Sequence, residues 1–276
     1  MTKSIALKEH LSNEEMCQHL EYIALKKLNY HWWKSFILSI LGGIFISFGA
    51  VFAVIVSSGA NNIPFGVTRL LMGFVFSLGL ILVIVGGAEL FTGSTIVSVA
   101  IVNKKAKFIQ LIKNWLTVYF GNFIGAFLIC LLIFIGKHYT LGSGVIGVNS
   151  INIAISKLHH SFFESISLGI LCNLLVCLAI WLTYSTRSIS GKIIAIIFPV
   201  TAFVAAGFEH SVANMYFVPI ALLIKNFDPS FVSNMNLHDL TINHFLINNL
   251  LPVTIGNIIG GVAVWLIFNS LYKKSA

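Results

Sequence analysis

Four stretches of the chain carry no charged side chain at all: Ser35–Thr68, Asn114–Gly136, Ser165–Thr186 and Phe245–Tyr272. A helix needs about 20 apolar residues to cross the hydrocarbon core of a bilayer, so each stretch supplies one transmembrane span. Two further apolar regions are interrupted by an acid. Leu70–Ala88 and Leu90–Asn103 flank Glu89, while Ile193–Phe208 and Ser211–Ile224 flank Glu209 and His210. Each pair reads as one discontinuous span. The expected fold is an all-α membrane protein with six transmembrane helices, the second and fifth of them broken. Composition agrees, because 9% of residues are charged and 57% hydrophobic, whereas a soluble domain carries about 25% charged residues. Soluble, disordered, collagen-like and small disulfide-rich classes are excluded together. Cys17, Cys130, Cys172 and Cys177 are too scattered for a disulfide framework or a zinc site, and nothing points to a bound metal or organic cofactor. A net charge of +8 reflects loops on one side of a membrane rather than a nucleic-acid partner.

The basic residues orient the chain. With both termini inside, Lys3, Lys8, Lys26, Lys27, Lys34, Lys104, Lys105, Lys107, Lys113, Arg187, Lys192, Lys273 and Lys274 fall on the cytoplasmic side. Arg69, Lys137, Lys157 and Lys225 do not, a split of 13 to 4 that favours cytoplasmic termini. The organisation expected is an N-terminal segment 1–33, a six-span domain 34–272 and a short cytoplasmic tail 273–276. Residues 1–33 lack the apolar run of a signal peptide. Ser12 and Glu15 have capping-box spacing, and Met16, Leu20, Ile23, Ala24 and Leu28 share one helical face. This amphipathic helix lies either on the cytoplasmic membrane surface or packed on the bundle.

The two halves resemble each other. Asn114–Ala126 aligns with Asn249–Gly261 at 7 of 13 positions, and Ser35–Ile44 with Ser161–Ile170 at 6 of 10. Glu89 and Glu209 occupy corresponding spans. Three spans per copy is an odd number, so the second copy enters the membrane upside down. Inverted repeats with paired broken helices are the sequence signature of a transport path through the midplane. Gly121 and Gly125, matched by Gly256 and Gly260, are read as close helix packing. Asn122 and Asn257 beside them are expected to bond loop or helix-end backbone.

Ionisable groups at membrane depth face a path or a partner. Glu89, Glu164, Glu209 and His210 qualify, with Lys157 at a helix entrance. The two glutamates are proton carriers or structural acceptors for backbone freed by the breaks, and their symmetry favours the structural role. His210 has no counterpart in the first half, where Leu90 stands. It is either a satisfied core histidine or a group able to share a proton with a weak acid. Thr92 and Asn173 are candidates for further hydrogen bonds to a small polar solute. Phe76, Leu80, Phe91 and Phe203 are candidate apolar constrictions, though an aromatic stripe also serves plain packing.

These residues resemble the formate–nitrite transporter family across all six spans. Gly87-Ala-Glu-Leu-Phe-Thr92 looks like the family's loop in the second helix, and Gly207-Phe-Glu-His-Ser-Val-Ala-Asn214 like its signature in the fifth. Pro64-Phe-Gly66, the Lys113–Asn122 segment and Lys157-Leu-His-His160 look like the formate branch. The resemblance implies an aquaporin-like subunit assembled as a homopentamer in a bacterial inner membrane, with one path per protomer. It implies that His210 is the central histidine, Thr92 the loop threonine, Lys157 the vestibule lysine and Asn173 the asparagine near the path, beside Glu209. It implies constrictions at Phe76, Leu80, Leu90, Phe91, Val176 and Phe203, and small monovalent anions with their acids as substrates: formate, nitrite, hydrosulfide, acetate or lactate.

A mechanism follows as an expectation. Lys157 concentrates formate at one mouth by Coulomb attraction. A bare anion crossing apolar constrictions loses hydration at a cost of several kcal/mol, and protonation near His210 removes most of that barrier. A carboxylic acid titrates near about 4, so about one molecule in a thousand is neutral at pH 7. A true anion channel, with protonated His210 supplying charge, is the alternative. An intramembrane enzyme is disfavoured, since neither GxSxG nor HExxH occurs. A neutral-solute channel is disfavoured by Lys157 and His210.

Overall fold

The computed structural model describes residues 10–273, so the tail residues 274–276 and the basic residues Lys3, Lys8 and Lys274 lie outside the described part. Eleven α-helices make up the described chain: α1 (Asn13–Leu28), α2 (Trp32–Ser57), α3 (Phe65–Gly86), α4 (Phe91–Ser94), α5 (Ser98–Val102), α6 (Phe108–Ile135), α7 (Val145–Leu158), α8 (Phe162–Tyr184), α9 (Ile189–Ala206), α10 (Ser211–Phe227) and α11 (Leu251–Tyr272). A 3₁₀ turn, Thr95–Val97, joins α4 to α5, and a π-helical stretch, His244–Leu250, leads into α11. Six helices are long and apolar enough to cross a membrane: α2, α3, α6, α8, α9, and α11 with its π-helical lead. The second and fifth spans are the broken ones. α3 stops at Gly87 and α9 at Gly207, whose φ values of +79° and +80° are left-handed conformations that glycine adopts without steric cost.

Buried faces explain the packing order. α2 packs on α3 and α6, α8 on α9 and α11, and α3 crosses α9. At Gly125 an added Cβ would overlap the Ile40 carbonyl, and at Gly260 the Ile170 carbonyl. These glycines let α6 ride on α2 and α11 on α8 at backbone contact, as small residues do between membrane helices.

The inverted repeat is present, and it is larger than three spans. α1, α2, α3, the α4–α5 segment and α6 correspond to α7, α8, α9, α10 and α11. The Glu89 N–H donates to Leu38 O (3.0 Å) and the Glu209 N–H to Leu168 O (3.3 Å), which places α2 and α8 in register at an offset of 130 residues. The offset of 126 suggested by Ser35–Ile44 and Ser161–Ile170 is therefore one helical turn out. A four-residue slip returns a helix to nearly the same face, so identities survive it. The offsets of 120 at the breaks and 135 for α6 and α11 stand.

α1 begins with the expected capping box between Ser12 and Glu15. Its face of Met16, Leu20 and Ala24 is at most 3% exposed, packed on the 3₁₀ turn, α5 and α11. Of the two placements open for this helix, the apolar face is covered by protein rather than free for lipid. α7, its counterpart, packs on α10, and Gly147, Ser150, Ile151, Ala154 and Leu158 form its buried face.

Candidate substrate path

Each break is held by one asparagine from the crossing glycine helix. Asn122 Oδ1 accepts the Phe91 N–H (2.8 Å), while its Nδ2 donates to the carbonyls of Ser39 (2.6 Å) and Glu89 (2.9 Å). Asn257 repeats the pattern, accepting from Ser211 N–H (2.9 Å) and donating to the carbonyls of Gly169 (2.8 Å) and Glu209 (2.9 Å). Backbone at this depth has no water to turn to, and on each side one amide meets two groups freed by the break and one carbonyl of the helix beside it.

Both glutamates turn back toward a lysine. Lys27 Nζ lies 2.6 Å from Glu89 Oε2, and Lys157 Nζ 2.9 Å from Glu209 Oε1. The second acceptor contacts differ: Ser94 Oγ donates to Glu89 (3.3 Å), and Asn214 Nδ2 to Glu209 (2.7 Å). Asn249 ties the second pair down, donating to Lys157 O and accepting from Asn214 Nδ2, both at 2.8 Å. Lys157 is thus not a free vestibule charge but half of an ion pair.

Between the breaks, Thr92 Oγ1 and His210 Nε2 are 3.1 Å apart and buried. His210 also caps α10: its Nδ1 accepts the Ala213 N–H at 3.0 Å. A nitrogen that accepts carries no hydrogen, so the neutral ring holds its proton on Nε2 and donates it to Thr92. Phe203 stacks on this ring (centroids 6.0 Å) and meets Phe76 edge-on (5.9 Å).

Two cavities approach this pair from opposite faces. The one on the face of the N-terminal helix, about 610 Å³, reaches Leu80, Leu90 and Gly93 and contains Lys27 and Glu89. The other, about 370 Å³, reaches Phe76, Phe203 and His210 and contains Lys157, Glu209, His160 and Arg69. Phe76 and Leu80 are neighbours one turn apart on α3, ~6 Å of rise, so little more than that turn separates the two mouths. Arg69 Nε and Nη2 donate to the last carbonyls of α9, Ala205 (3.0 Å) and Val204 (2.8 Å).

Other expected path residues sit differently. Asn173 directs both Nδ2 hydrogens at backbone, to Thr92 O (3.2 Å) and to Asn257 O (2.5 Å), leaving no amide donor for a solute. Phe91 packs against Tyr119 and Trp115 (centroids 4.8 and 6.2 Å) and lines neither cavity, nor does the buried Val176. Sequence reasoning missed Lys27 as an ion-pair partner, Arg69, Asn249 and the chain from Trp265 Nε1 through Thr95 Oγ1 (3.0 Å) to Thr92 O (2.8 Å). Two of these left a readable trace: Lys27-Leu28 against Lys157-Leu158 at offset 130, and Asn249 against Asn114 at offset 135.

Six spans in inverted repeats, with two mouths converging on a buried polar pair, define a membrane channel or transporter. A family model described as formate/nitrite transporter matches residues 14–271, and the chain belongs to that family. It is 43% identical to the formate channel FocA of Escherichia coli strain K12 over 92% of this chain and 93% of that protein. It is 38% identical to the Haemophilus influenzae FocA, over 96% and 95%. A solved structure described as a pentameric formate channel with formate bound superposes with a TM-score of 0.78 at 42% identity, covering 86% of this chain and 97% of that one. An ion channel of the same family gives 0.76 at 27% identity, covering 92% and 95%.

Proposed function

We propose that this chain forms a formate channel of a bacterial inner membrane, one path per protomer of a homopentamer, with the N-terminal face toward the cytoplasm. The observation that carries the reading is the buried Thr92–His210 pair standing between two cation-bearing cavities with apolar walls. The formate channels among its relatives and the pentameric neighbour support substrate and assembly, and the 13-to-4 distribution of basic residues supports the orientation.

In this reading an anion is drawn into either mouth by net positive charge. On the Lys157 side the surplus is Arg69, because Lys157 and Glu209 cancel. Between Phe76 and Phe203 the anion would shed water without replacement. Desolvation shifts a carboxylic acid toward its neutral form, so formate takes its proton from hydronium in the vestibule water, leaving water behind, and enters as formic acid. His210 Nε2–H and the Thr92 hydroxyl then replace its lost hydration with hydrogen bonds. His210 acts as a donor and not as a fixed imidazolium, since a second ring proton on Nδ1 would face the Ala213 N–H.

The test is uptake into proteoliposomes of formate and nitrite, each at external pH 5 and pH 7. Formate uptake that exceeds nitrite uptake and rises at the lower pH is expected. Faster nitrite uptake reassigns the substrate, and pH-independent formate uptake points to a plain anion channel.

A further inference from the structure

The two mouths are unequally charged. On the N-terminal face Lys27 is paired with Glu89, yet Lys26, Arg187 and Lys192 line the same cavity without an acidic partner among the described residues. On the opposite face the surplus is Arg69, and two carbonyls already hold it. His19, another wall of the larger cavity, is held below the ordinary histidine range first by burial and then by Lys192 and Lys26. Both lysines line the same cavity as His19. Three surplus cations can attract a monovalent permeant, but they carry more charge than one such anion neutralises. The cavity, about 610 Å³, has the size of sites that enclose drug-sized ligands, and its inner wall is the buried pair Leu80 and Leu90. A solute too large for that constriction can still enter. Arg187 offers a planar fork that matches phosphate oxygens, and the lysines act as point charges.

We infer that this cavity binds a small multivalent phosphate-bearing anion, which lodges in the mouth and obstructs the path without crossing it. The site rests on cavity charge and size and goes beyond the formate reading.

Inorganic pyrophosphate titrated calorimetrically into the detergent-solubilised full-length protein tests it, against potassium chloride at matched ionic strength. Saturable binding is expected, weakened roughly threefold by Arg187→Gln or Lys192→Gln and about tenfold by both together. Binding no better than the chloride control, or undiminished in the double variant, overturns the site. In vesicles of determined orientation, pyrophosphate on the N-terminal face slows anion flux; slowing from both faces or from neither overturns the obstruction. Because calorimetry needs no flux, a wrong substrate assignment leaves the binding result standing.

Discussion

Lys27 and Lys157 stand at equivalent positions of the two inverted halves, and each closes onto the glutamate at the break of its own half, at 2.6 and 2.9 Å. One pair faces each mouth. The glutamates are largely withdrawn from solvent, so the pairing neutralises a carboxylate that the broken helix has drawn below the surface.

Removing one member of such a pair costs more than removing both, because a buried charge is left unmatched. Lys157→Met is expected to destabilise the protein by about 3 kcal/mol, and Lys157→Met/Glu209→Gln to restore most of that loss. Thermal melting of the detergent-solubilised variants in a double-mutant cycle measures the coupling. A double variant that loses the sum of what Lys157→Met and Glu209→Gln lose singly would show that the pair is not coupled.

His210 performs two tasks, and substitutions separate them. His210→Phe loses both the cap and the donor, and low-pH formate uptake is expected to fall to the level of empty vesicles. Asparagine caps helices well and keeps an N–H donor without titrating. His210→Asn is therefore expected to retain a measurable uptake that still rises from pH 7 to pH 5. Loss of that pH response in His210→Asn would assign the proton to the imidazole instead of the substrate.

Asn122 closes three backbone groups with one amide. Asn122→Ala leaves the Phe91 N–H and the Glu89 carbonyl open in a water-poor site, at an expected cost of about 3 kcal/mol. Asn122→Asp is expected to be worse, since a carboxylate sets acceptors against the Ser39 and Glu89 carbonyls. Yield and melting temperature of the assembled protein rank the two; the reverse order would contradict this geometry.

Phe203 narrows the smaller cavity by meeting Phe76 and covering the His210 ring. Phe203→Ala is expected to raise acetate flux relative to formate severalfold. Competition uptake with labelled acetate measures it, and an unchanged ratio would place the selective constriction elsewhere.

Asp228, at the end of α10, is held below the ordinary carboxylate range by hydrogen bonds from the Ser230 hydroxyl, the Tyr139 hydroxyl and the Phe231 N–H. A depressed folded-state value means that these bonds stabilise the loop above the unfolded value of about 3.9. They are lost as pH falls through the lower folded value. Amide exchange at Phe231 is expected to gain protection-loss only below about pH 4, and Asp228→Asn to abolish that acid dependence.

Much of the path could be read from charge and spacing. Glu89, Glu209 and His210 announce themselves because polar groups at membrane depth need a partner, and the glycine–asparagine pairs of α6 and α11 are visible as repeated motifs. What escaped did so for physical reasons. Lys27 looks like one more positive-inside residue until the fold turns it onto Glu89. α7 is short and mixed in polarity, so a span count passes over it, although positions 147, 151, 154 and 158 carry a helical period. Arg69 reads only as the boundary between two apolar stretches, and its targets are carbonyls freed only where α9 ends. Asn173 shows the converse error: a polar residue near the path whose hydrogens the backbone has already claimed.

Leu90 and His210 begin the returning segments of the two halves, and only the histidine side chain caps its helix. The capped segment is one unbroken helix of 17 residues. The uncapped one passes through α4, a 3₁₀ turn and α5 within twelve residues. The twin halves therefore differ in stiffness where they meet. A 3₁₀ stretch within a helix is where hinges tend to form, so yielding that accompanies passage is expected on the threonine side, with the histidine as the anvil.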